Sequence, residues 1–593
     1  MCGIAGVWGK GRSVDQAVKL LDHRGPDASG VFEDPDGLQS GHTRLSILDL
    51  SDAANQPFHS ACGRYVTVYN GEVYNFRELA TKHALSLRTQ SDTEVVSALF
   101  ARLGPDFVSE LNGMFALAVY DKVEKSLHLF RDRLGIKPLY YSLSGGAFAF
   151  ASELPALKAL CPPSEHDPEG LAQYLHRGYV PEPLTFYRDF KKFPAGSRAV
   201  YREGRLDFYT YWKAEDAVAA SVESDEKRVL ARTEELLRDS VRLRLIADVP
   251  VGTFLSGGAD SGLISAIAAD LHSGSVNTFN VSFEDAAFDE TPFALKMADI
   301  IVSNHHNMTV TREAVMSRLK EGMALVGEPF ADSSVFPTTA VSAFAARHVK
   351  VALSGDGGDE LFAGYGAYTW AERMAKPHIW AGRKLIAAAL RAKGGSRNRR
   401  AANVFDAPDK AGLAAHIFSQ EQNLFSRKEI EAGTGSAFRD TYTPPPCARK
   451  LAPAEEQAFF DLTNYLKDDL LVKVDRSSMR HGLEVRVPFL DHRLVEYALN
   501  IDPALKIKNG EAKYPVKKLM EKYYPNSLIY RRKWGFSVPL EQWMKEEGLK
   551  VKAPNSMPEG IKRAFDDLNT RYTGGESFLY NRLYSLMNLA TYL

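Results

Sequence analysis

The first two hundred residues alternate apolar and polar positions over short distances. Residues 65–76, YVTVYNGEVYNF, alternate and predict a strand that turns at Asn70-Gly71. FALAVYD (115–121), SLHLFRDR (126–133) and AFAFASE (147–153) are further runs of strand length, separated by Gly-bearing turns. A helix is expected after Ser91, where SDTEVVSALFARLG supplies an N-cap, early acids and a terminal glycine. Many short strands with few helices predict an α+β domain built on two packed antiparallel sheets.

From about residue 225 the period lengthens. DEKRVLARTEELLRDSVRLRLI places Leu230, Leu236, Leu237 and Val241 at helical spacing. VPVGTFLSGG then reads as a strand running into a Gly-rich loop, SGLISAIAADL as a helix, and VNTFNVSF and VKVALSGDGG as strands. Strands alternating with helices predict an α/β domain with a parallel sheet. Residues 375–455 are less regular. GRKLIAAALRAKGGSRNRR (382–400) is locally basic and reads as a solvated helix end and loop, with an anionic substrate or partner as the alternative. TPPPC (443–447) is a rigid break, and no internal repeat is visible.

Composition narrows the function classes. A chain of 593 residues is too long for one ordinary core and predicts two or more domains. A net charge of −1 gives no global attraction to nucleic acid or an anionic membrane, and neither is expected as a partner. Cys2, Cys62, Cys161 and Cys447 are too widely spaced for a CxxC metal site or a disulfide framework. That usage suits a reducing, cytoplasmic setting. No run reaches the roughly 18 apolar residues of a membrane span, and the N-terminal residues lack the pattern of a signal peptide.

Candidate chemistry concentrates in two regions. Cys2 follows the initiator Met in MCGIAGVWG, ahead of LDHRGPDASG (21–30), GHTRLSILDL (41–50), YNGEVYN (69–75) and RTQSDTEV (88–95). These segments suit a free amino acid that carries an amide. An Arg fork matches its α-carboxylate, carboxylates match its ammonium, and donors aimed at the amide oxygen stabilise an oxyanion. Cys is a nucleophile, and an N-terminal amine of pKa about 7.7–8.0 can take its proton. In the second region, Gly257 and Gly258 in TFLSGGADSG let a backbone approach a phosphate, and the helix start that follows favours an anion. The loop is no Walker A motif, since GxxxxGK[ST] is absent. In VALSGDGGDELFAGY (351–365), Asp356, Asp359 and Glu360 crowd together and repel unless a cation joins them, which favours Mg2+ at Asp359. His305 and His306, adjacent in a strand, point to opposite faces and do not share a metal.

MCGIAG, HRGPD, HTRLSI, YNGEVYN and SDTEV resemble the class II glutamine amidotransferase domain, an N-terminal-nucleophile glutaminase, over residues 2–205. The resemblance implies loss of Met1, Cys2 as nucleophile, and an oxyanion hole of the Asn70 side chain and the Gly71 N–H. It implies Arg44 on the α-carboxylate, Glu72 and Asp92 on the amino group, and Ile47 in the pocket wall. SGGADS, EPFADSSVFPTT (328–339), LLVKVDRSSMRHGLEVRVPFLDHRL (470–494) and YRRKWGFSVP (530–539) resemble asparagine synthetase B-type enzymes. The match then covers nearly the whole chain, with a pyrophosphatase-type synthetase domain over residues 225–593. In that family a carboxylate is adenylated by ATP and ammonia attacks the acyl-adenylate. The resemblance places Leu255, Ser256, Gly257, Gly258, Asp260, Ser261, Val281, Ser354 and Gly355 at ATP, Asp260 and Asp359 at Mg2+, and Asp356 and Lys533 at the chemistry. Arg476 and Arg486 are candidates for substrate contacts or structural ion pairs. The implied substrates are glutamine, ATP and a carboxylate, aspartate first, with an internal ammonia channel between the domains. One departure is Asp356, where some well-known members carry Glu. KVDRSSM is also the form of a broad bacterial branch, some of whose members amidate uronic acids, peptides or antibiotic precursors. A homodimer is the default assembly.

Overall fold

The computed structural model describes residues 2–9, 11–284, 289–531, 539–546 and 553–593. The N-terminal strands are β1 (Gly3–Trp8), β2 (Ala28–Glu33), β3 (Leu38–Arg44), β4 (Phe58–His59), β5 (Tyr65–Val73) and β6 (Gly113–Asp121). They continue as β7 (Ser126–Arg131), β8 (Tyr140–Ser144), β9 (Ala147–Ala151), β10 (Phe190–Lys192), β11 (Ser197–Arg202) and β12 (Arg205–Thr210). They form two six-stranded antiparallel sheets, ordered β10-β8-β9-β1-β3-β2 and β12-β11-β7-β6-β5-β4. Alternation drives the layering. Ile4, Val66, Val68, Ala116, Ala118, Phe148 and Phe150 meet between the sheets. On the other face of the second sheet, Tyr69, Phe115 and Leu117 pack on Val95, Val96 and Leu99 of the helix Asp92–Leu103. Ser91 Oγ caps that helix by accepting from Thr93 N–H, and Gly104 ends it at φ +68°.

The expected turn at Asn70-Gly71 does not form. β5 runs straight through both residues, with Gly71 in register with Phe115 of β6. A Cβ at Gly71 would come within 2.3 Å of the Met114 carbonyl oxygen. The glycine therefore serves close strand approach rather than reversal of the chain.

The second half carries β13 (Val251–Phe254), β14 (Asn277–Phe283), β15 (Asn304–Val310), β16 (Val351–Leu353) and β17 (Glu484–Arg486). These form one parallel sheet in the order β15-β14-β13-β16-β17. The helix Glu226–Arg244 precedes it and buries Val229, Leu236, Leu237 and Val241, while Leu230 is half-buried. The strand order reverses between β13 and β16, and the loops leaving their carboxyl ends open a crevice at that switch point. Open α/β sheets bind ligands there. His305 and His306 do face opposite ways: His305 bonds Thr278 Oγ1 at 2.8 Å, whereas His306 stacks on Phe279.

The irregular reading of residues 375–455 is corrected. Helices Pro377–Lys393, Ser396–Phe405, Leu413–Glu421 and Arg427–Thr434 occupy most of it. Met374, Ala387, Ala402 and Phe405 form a small apolar cluster, while the Arg and Lys residues lie outside it. Contact through alanines blurs the helical period in the sequence. Gly394 and Gly395, both at positive φ, reverse the chain between the first two helices. Among the described residues no helix is long and apolar enough to cross a membrane.

Candidate active sites

Cys2 enters β1 buried. Its backbone N–H donates to Asn70 Oδ1 at 3.1 Å, and its carbonyl accepts from Arg24 Nε at 3.0 Å. Gly3 behind it leaves room for nothing larger, since a Cβ would sit 2.7 Å from Thr43 Oγ1. Asn70 Nδ2 is buried and has no hydrogen-bond partner. An unpaired donor beside a thiol is costly unless a substrate oxygen arrives to accept it. Burial pushes the Cys2 thiol up from its ordinary value, so the resting group is a thiol that needs a base.

The pocket beside Cys2 gathers Arg44, Ile47, Gly71, Glu72 and Asp92 on its wall, together with Gln56, Tyr69 and Glu484. Asp92 Oδ2 accepts from Tyr69 Oη at 2.8 Å and from Val73 N–H at 3.0 Å. Burial nevertheless raises its pKa to about 6. Glu72 is raised as well, by burial and then by Asp92. Burial alone would also raise Glu484, but cationic neighbours including Arg486 bring it down to about 2. Arg44 stands at the wall with its fork engaged: Nη1 donates to Ser51 O at 2.8 Å and Asn55 Oδ1 at 2.7 Å, and Nη2 to Leu48 O and Asp49 O. In this conformation Arg44 holds the 48–55 loop. The free volume is about 30 Å3, which holds a water but not an amino acid.

The crevice of the parallel sheet encloses about 560 Å3. Leu255, Ser256, Gly258, Asp260, Ser261 and Val281 line one side, and Ser354, Gly355, Asp356 and Asp359 the other. Gly257 turns the loop at φ +78°, and its carbonyl accepts from Arg531 Nη2 at 2.7 Å. The two loops touch through glycines. A Cβ at Gly355 would lie 2.8 Å from Ser261 N, and one at Gly358 2.4 Å from Asp260 Oδ1. Ser261 Oγ closes the first loop onto Ser256 N–H at 3.2 Å. Ser354 Oγ donates to Asp356 Oδ2 at 2.7 Å. Burial raises the Asp356 carboxyl, and Asp260 and Asp359 add to that rise. Glu360 is raised to about 7, by burial and then by Asp359, with its Oε1 bonded to Tyr365 Oη at 2.6 Å. Lys533 lies outside the described residues.

Several residues at these sites carried no role in the sequence reading. Lys513 Nζ lies 2.5 Å from both Asp260 Oδ2 and Asp359 Oδ1. Lys473 Nζ donates to Asp332 Oδ2 at 2.8 Å and faces the crevice. Asp469, from the wide-turned helix Asp461–Leu470, lines it too, with a buried unpaired Oδ1. Lys473 and Asp332 sit inside motifs that were recognised, which was the signal available. Nothing local marks Lys513, because a fold of some 250 residues brings it to Asp260.

Two short elements join the sites. In the helix Leu471–Met479, Lys473 faces the crevice while Asp475 receives a fork from Arg24, at 2.8 and 3.0 Å, directly beneath Cys2. Arg476 pairs with Glu153 at 2.8 Å. In β17, Glu484 lines the Cys2 pocket and Arg486 pairs with it at 2.6 Å. Arg476 and Arg486 are thus buried ion-pair partners at the domain contact.

The family model described as asparagine synthase matches residues 232–564, more than half of the chain. The chain belongs to the asparagine synthase family. A model of the glutamine amidotransferase domain matches residues 1–212 of this family member, the part that carries the Cys2 pocket. Asparagine synthetase [glutamine-hydrolyzing] 1 of Bacillus subtilis is 34% identical, covering 92% of this chain and 88% of its own. A putative asparagine synthetase [glutamine-hydrolyzing] of Mycobacterium tuberculosis is 32% identical, over 90% and 85%. Amidase chyE of Penicillium rubens is 29% identical, over 89% and 85%. The asparagine synthase match covers the parallel sheet up to β17 and both glycine-cradled loops.

Proposed function

We propose that this chain hydrolyses glutamine at Cys2 and passes the ammonia to a carboxylate activated by ATP in the crevice, aspartate being the first-choice acceptor. The products are AMP and pyrophosphate, through an acyl-adenylate. Hydrolysis is assigned to residues 2–205 and synthesis to residues 225–593. The observation that carries the reading is the sharing of β17: Glu484 forms wall of one site, and the Arg486 carbonyl holds Ser354 of the other at 2.9 Å.

With Met1 removed, the Cys2 amine becomes the base that takes the thiol proton, with a pKa near 7.7–8.0, roughly the ordinary N-terminal value. The thiolate attacks the side-chain amide carbon of glutamine. Asn70 Nδ2 and the Gly71 N–H take up the charge that develops on the oxygen. Glu72 and Asp92 hold the substrate ammonium, and Arg44 turns from the 48–55 carbonyls to the α-carboxylate as the pocket opens. In the crevice the 256–261 loop cradles the phosphates. Asp260 and Asp359 are hard oxygen donors that converge on Lys513 Nζ in this conformation; Mg2+ completed by phosphate oxygens would take that point once Lys513 turns away. The ion there would neutralise phosphate charge. Lys473 and Asp356 would orient the acceptor and its adenylate, Lys533 would neutralise charge on the phosphates and the tetrahedral intermediate, and ammonia would travel past β17 and the helix Leu471–Met479.

One observation favours a second acceptor class. Among the described residues, the cations that line the crevice, Arg177 and Lys473, are already paired with Asp440 and Asp332. Aspartate brings a second carboxylate that would need its own cation, whereas a carboxylate lacking that group would not. Two measurements test both readings. Cys2→Ala should abolish glutamine-driven turnover and leave ammonia-driven synthesis intact, and equal loss of both would sink the division of labour. Pyrophosphate release screened over carboxylates should rise with aspartate; a response only to other acids would move the assignment to the second class.

A further inference from the structure

A second cavity, of about 580 Å3, opens where the helices Ser396–Phe405 and Leu413–Glu421 meet residues 571–582. It lies in the region whose basic run the proposed reaction does not use. Seven lining residues are cationic and two, Asp406 and Glu429, are anionic. Most of the cations are braced. Arg391 pairs with Asp406 at 2.9 Å, Arg399 with Glu576 at 2.8 Å, Arg427 with Glu431 at 3.0 Å and Arg582 with Glu429 at 2.6 Å. Arg571 also rests on Glu576, at 3.0 Å. Arg400 and Lys428 are exposed on the rim and pair with no carboxylate among the described residues. At the floor, Gln420 is 1% exposed, donates Nε2 to Ser419 Oγ at 3.1 Å, and leaves Oε1 without a partner.

Arg400 and Lys428, which pair with no carboxylate among the described residues, offer two cations to phosphate groups, and the braced forks behind them keep the surroundings positive. A buried amide oxygen with nothing to accept asks for a hydroxyl donor on the same ligand. We propose that this cavity binds a small organic polyphosphate, such as a sugar bisphosphate. Its place in the fold sets it next to the synthetase crevice. Arg582 Nε and Nη2 hold the carbonyls of Asn423 and Leu424 at 3.2 and 3.0 Å. Leu424 and Gln422 face the synthetase crevice, whereas Asn423 and Gln420 face this cavity. One strip of chain is therefore the wall of both.

The site is independent of the proposed reaction and is read by binding alone. Titration calorimetry of the full chain with fructose 1,6-bisphosphate at physiological salt should give one saturable site. The R400A/K428A variant, changed only at exposed positions, should weaken it about tenfold or more. Gly355→Ala, which distorts the crevice, should leave it within about twofold. Inorganic tripolyphosphate should bind at the same site but more weakly, having no hydroxyl for Gln420; tighter tripolyphosphate would assign the site to an inorganic ligand and overturn the organic one. No saturable binding, equal binding in R400A/K428A, or loss only in Gly355→Ala would overturn the proposal.

Discussion

Arg486 Nη2 stands 3.3 Å from Glu72 Oε2, across the contact between the antiparallel sheets and the parallel one. The same side chain pairs with Glu484, and its backbone carbonyl accepts from Ser354 N–H at 2.9 Å. One buried residue thus touches the wall of the Cys2 pocket and the start of the second crevice loop. Removing one member of a buried ion pair leaves uncompensated charge, which typically costs about 3–5 kcal/mol. Arg486→Met should therefore lower the unfolding free energy by that order, seen as a lower denaturation midpoint, and reduce glutamine-driven and ammonia-driven turnover together. Retention of full ammonia-driven activity in a destabilised variant would show that β17 does not couple the sites.

Asn70 supplies a sharper test. Its Oδ1 holds the Cys2 N–H while its Nδ2 has no partner. Loss of one oxyanion donor lowers kcat by about 10²–10³. Asn70→Asp keeps the acceptor oxygen and removes the donor, so it should lose as much as Asn70→Ala, with KM for glutamine little changed. A near-normal kcat in Asn70→Asp would mean that only the acceptor matters.

The pH dependence of glutamine hydrolysis follows from Asp92. Burial raises this carboxyl to about 6, and the ionised form is the one that binds an ammonium. kcat/KM for glutamine should rise as pH increases through about 6, and Asp92→Asn should flatten that limb as well as lower it. For stability the sign is opposite. A carboxyl whose folded pKa lies above its ordinary value contributes stability below that ordinary value and loses it as pH rises through the folded one. Glu360, raised to about 7, behaves likewise, so wild-type Tm should fall relative to Glu360→Gln between pH 4.5 and 7. A constant difference in Tm across that window would contradict a buried neutral Glu360.

These sites were unevenly legible in the sequence. Strand alternation and the change of period near residue 225 foretold both sheet types, because core burial imposes those periods directly. The glycine-rich loops were legible because close backbone contact admits no other residue. Asn70-Gly71 misled because the same dipeptide serves a hairpin turn and a tight strand pair, and only the register with β6 separates them. Arg24 and Glu484 sit inside recognised motifs, HRGPD and the 470–494 segment, which mark the residues but not their partners; Lys513 reaches Asp260 through long-range packing that leaves no local trace. The helices of residues 375–455 were hidden because alanine and glycine contacts carry little hydrophobic contrast.

The contact between the two crevice loops yields a last expectation. Gly355 lies where a methyl group would come within 2.8 Å of Ser261 N and 2.9 Å of Asp260 Cβ, both at the start of the helix Ala259–Leu271. Backbone cannot yield there as a flexible side chain can, so Gly355→Ala must push the loops apart. Overpacking of this kind costs about 1–3 kcal/mol, and the phosphate cradle should lose its shape before the domain unfolds. ATP-dependent pyrophosphate release should collapse in Gly355→Ala while glutamine hydrolysis at Cys2 persists. Gly382→Ala is the matched control. Its nearest neighbour is Ile386 Cδ1 at 4.0 Å, within the helix Pro377–Lys393. It should keep both activities and gain up to about 1 kcal/mol from helix propensity. If Gly355→Ala releases pyrophosphate at the wild-type rate, the two loops do not act as one nucleotide site.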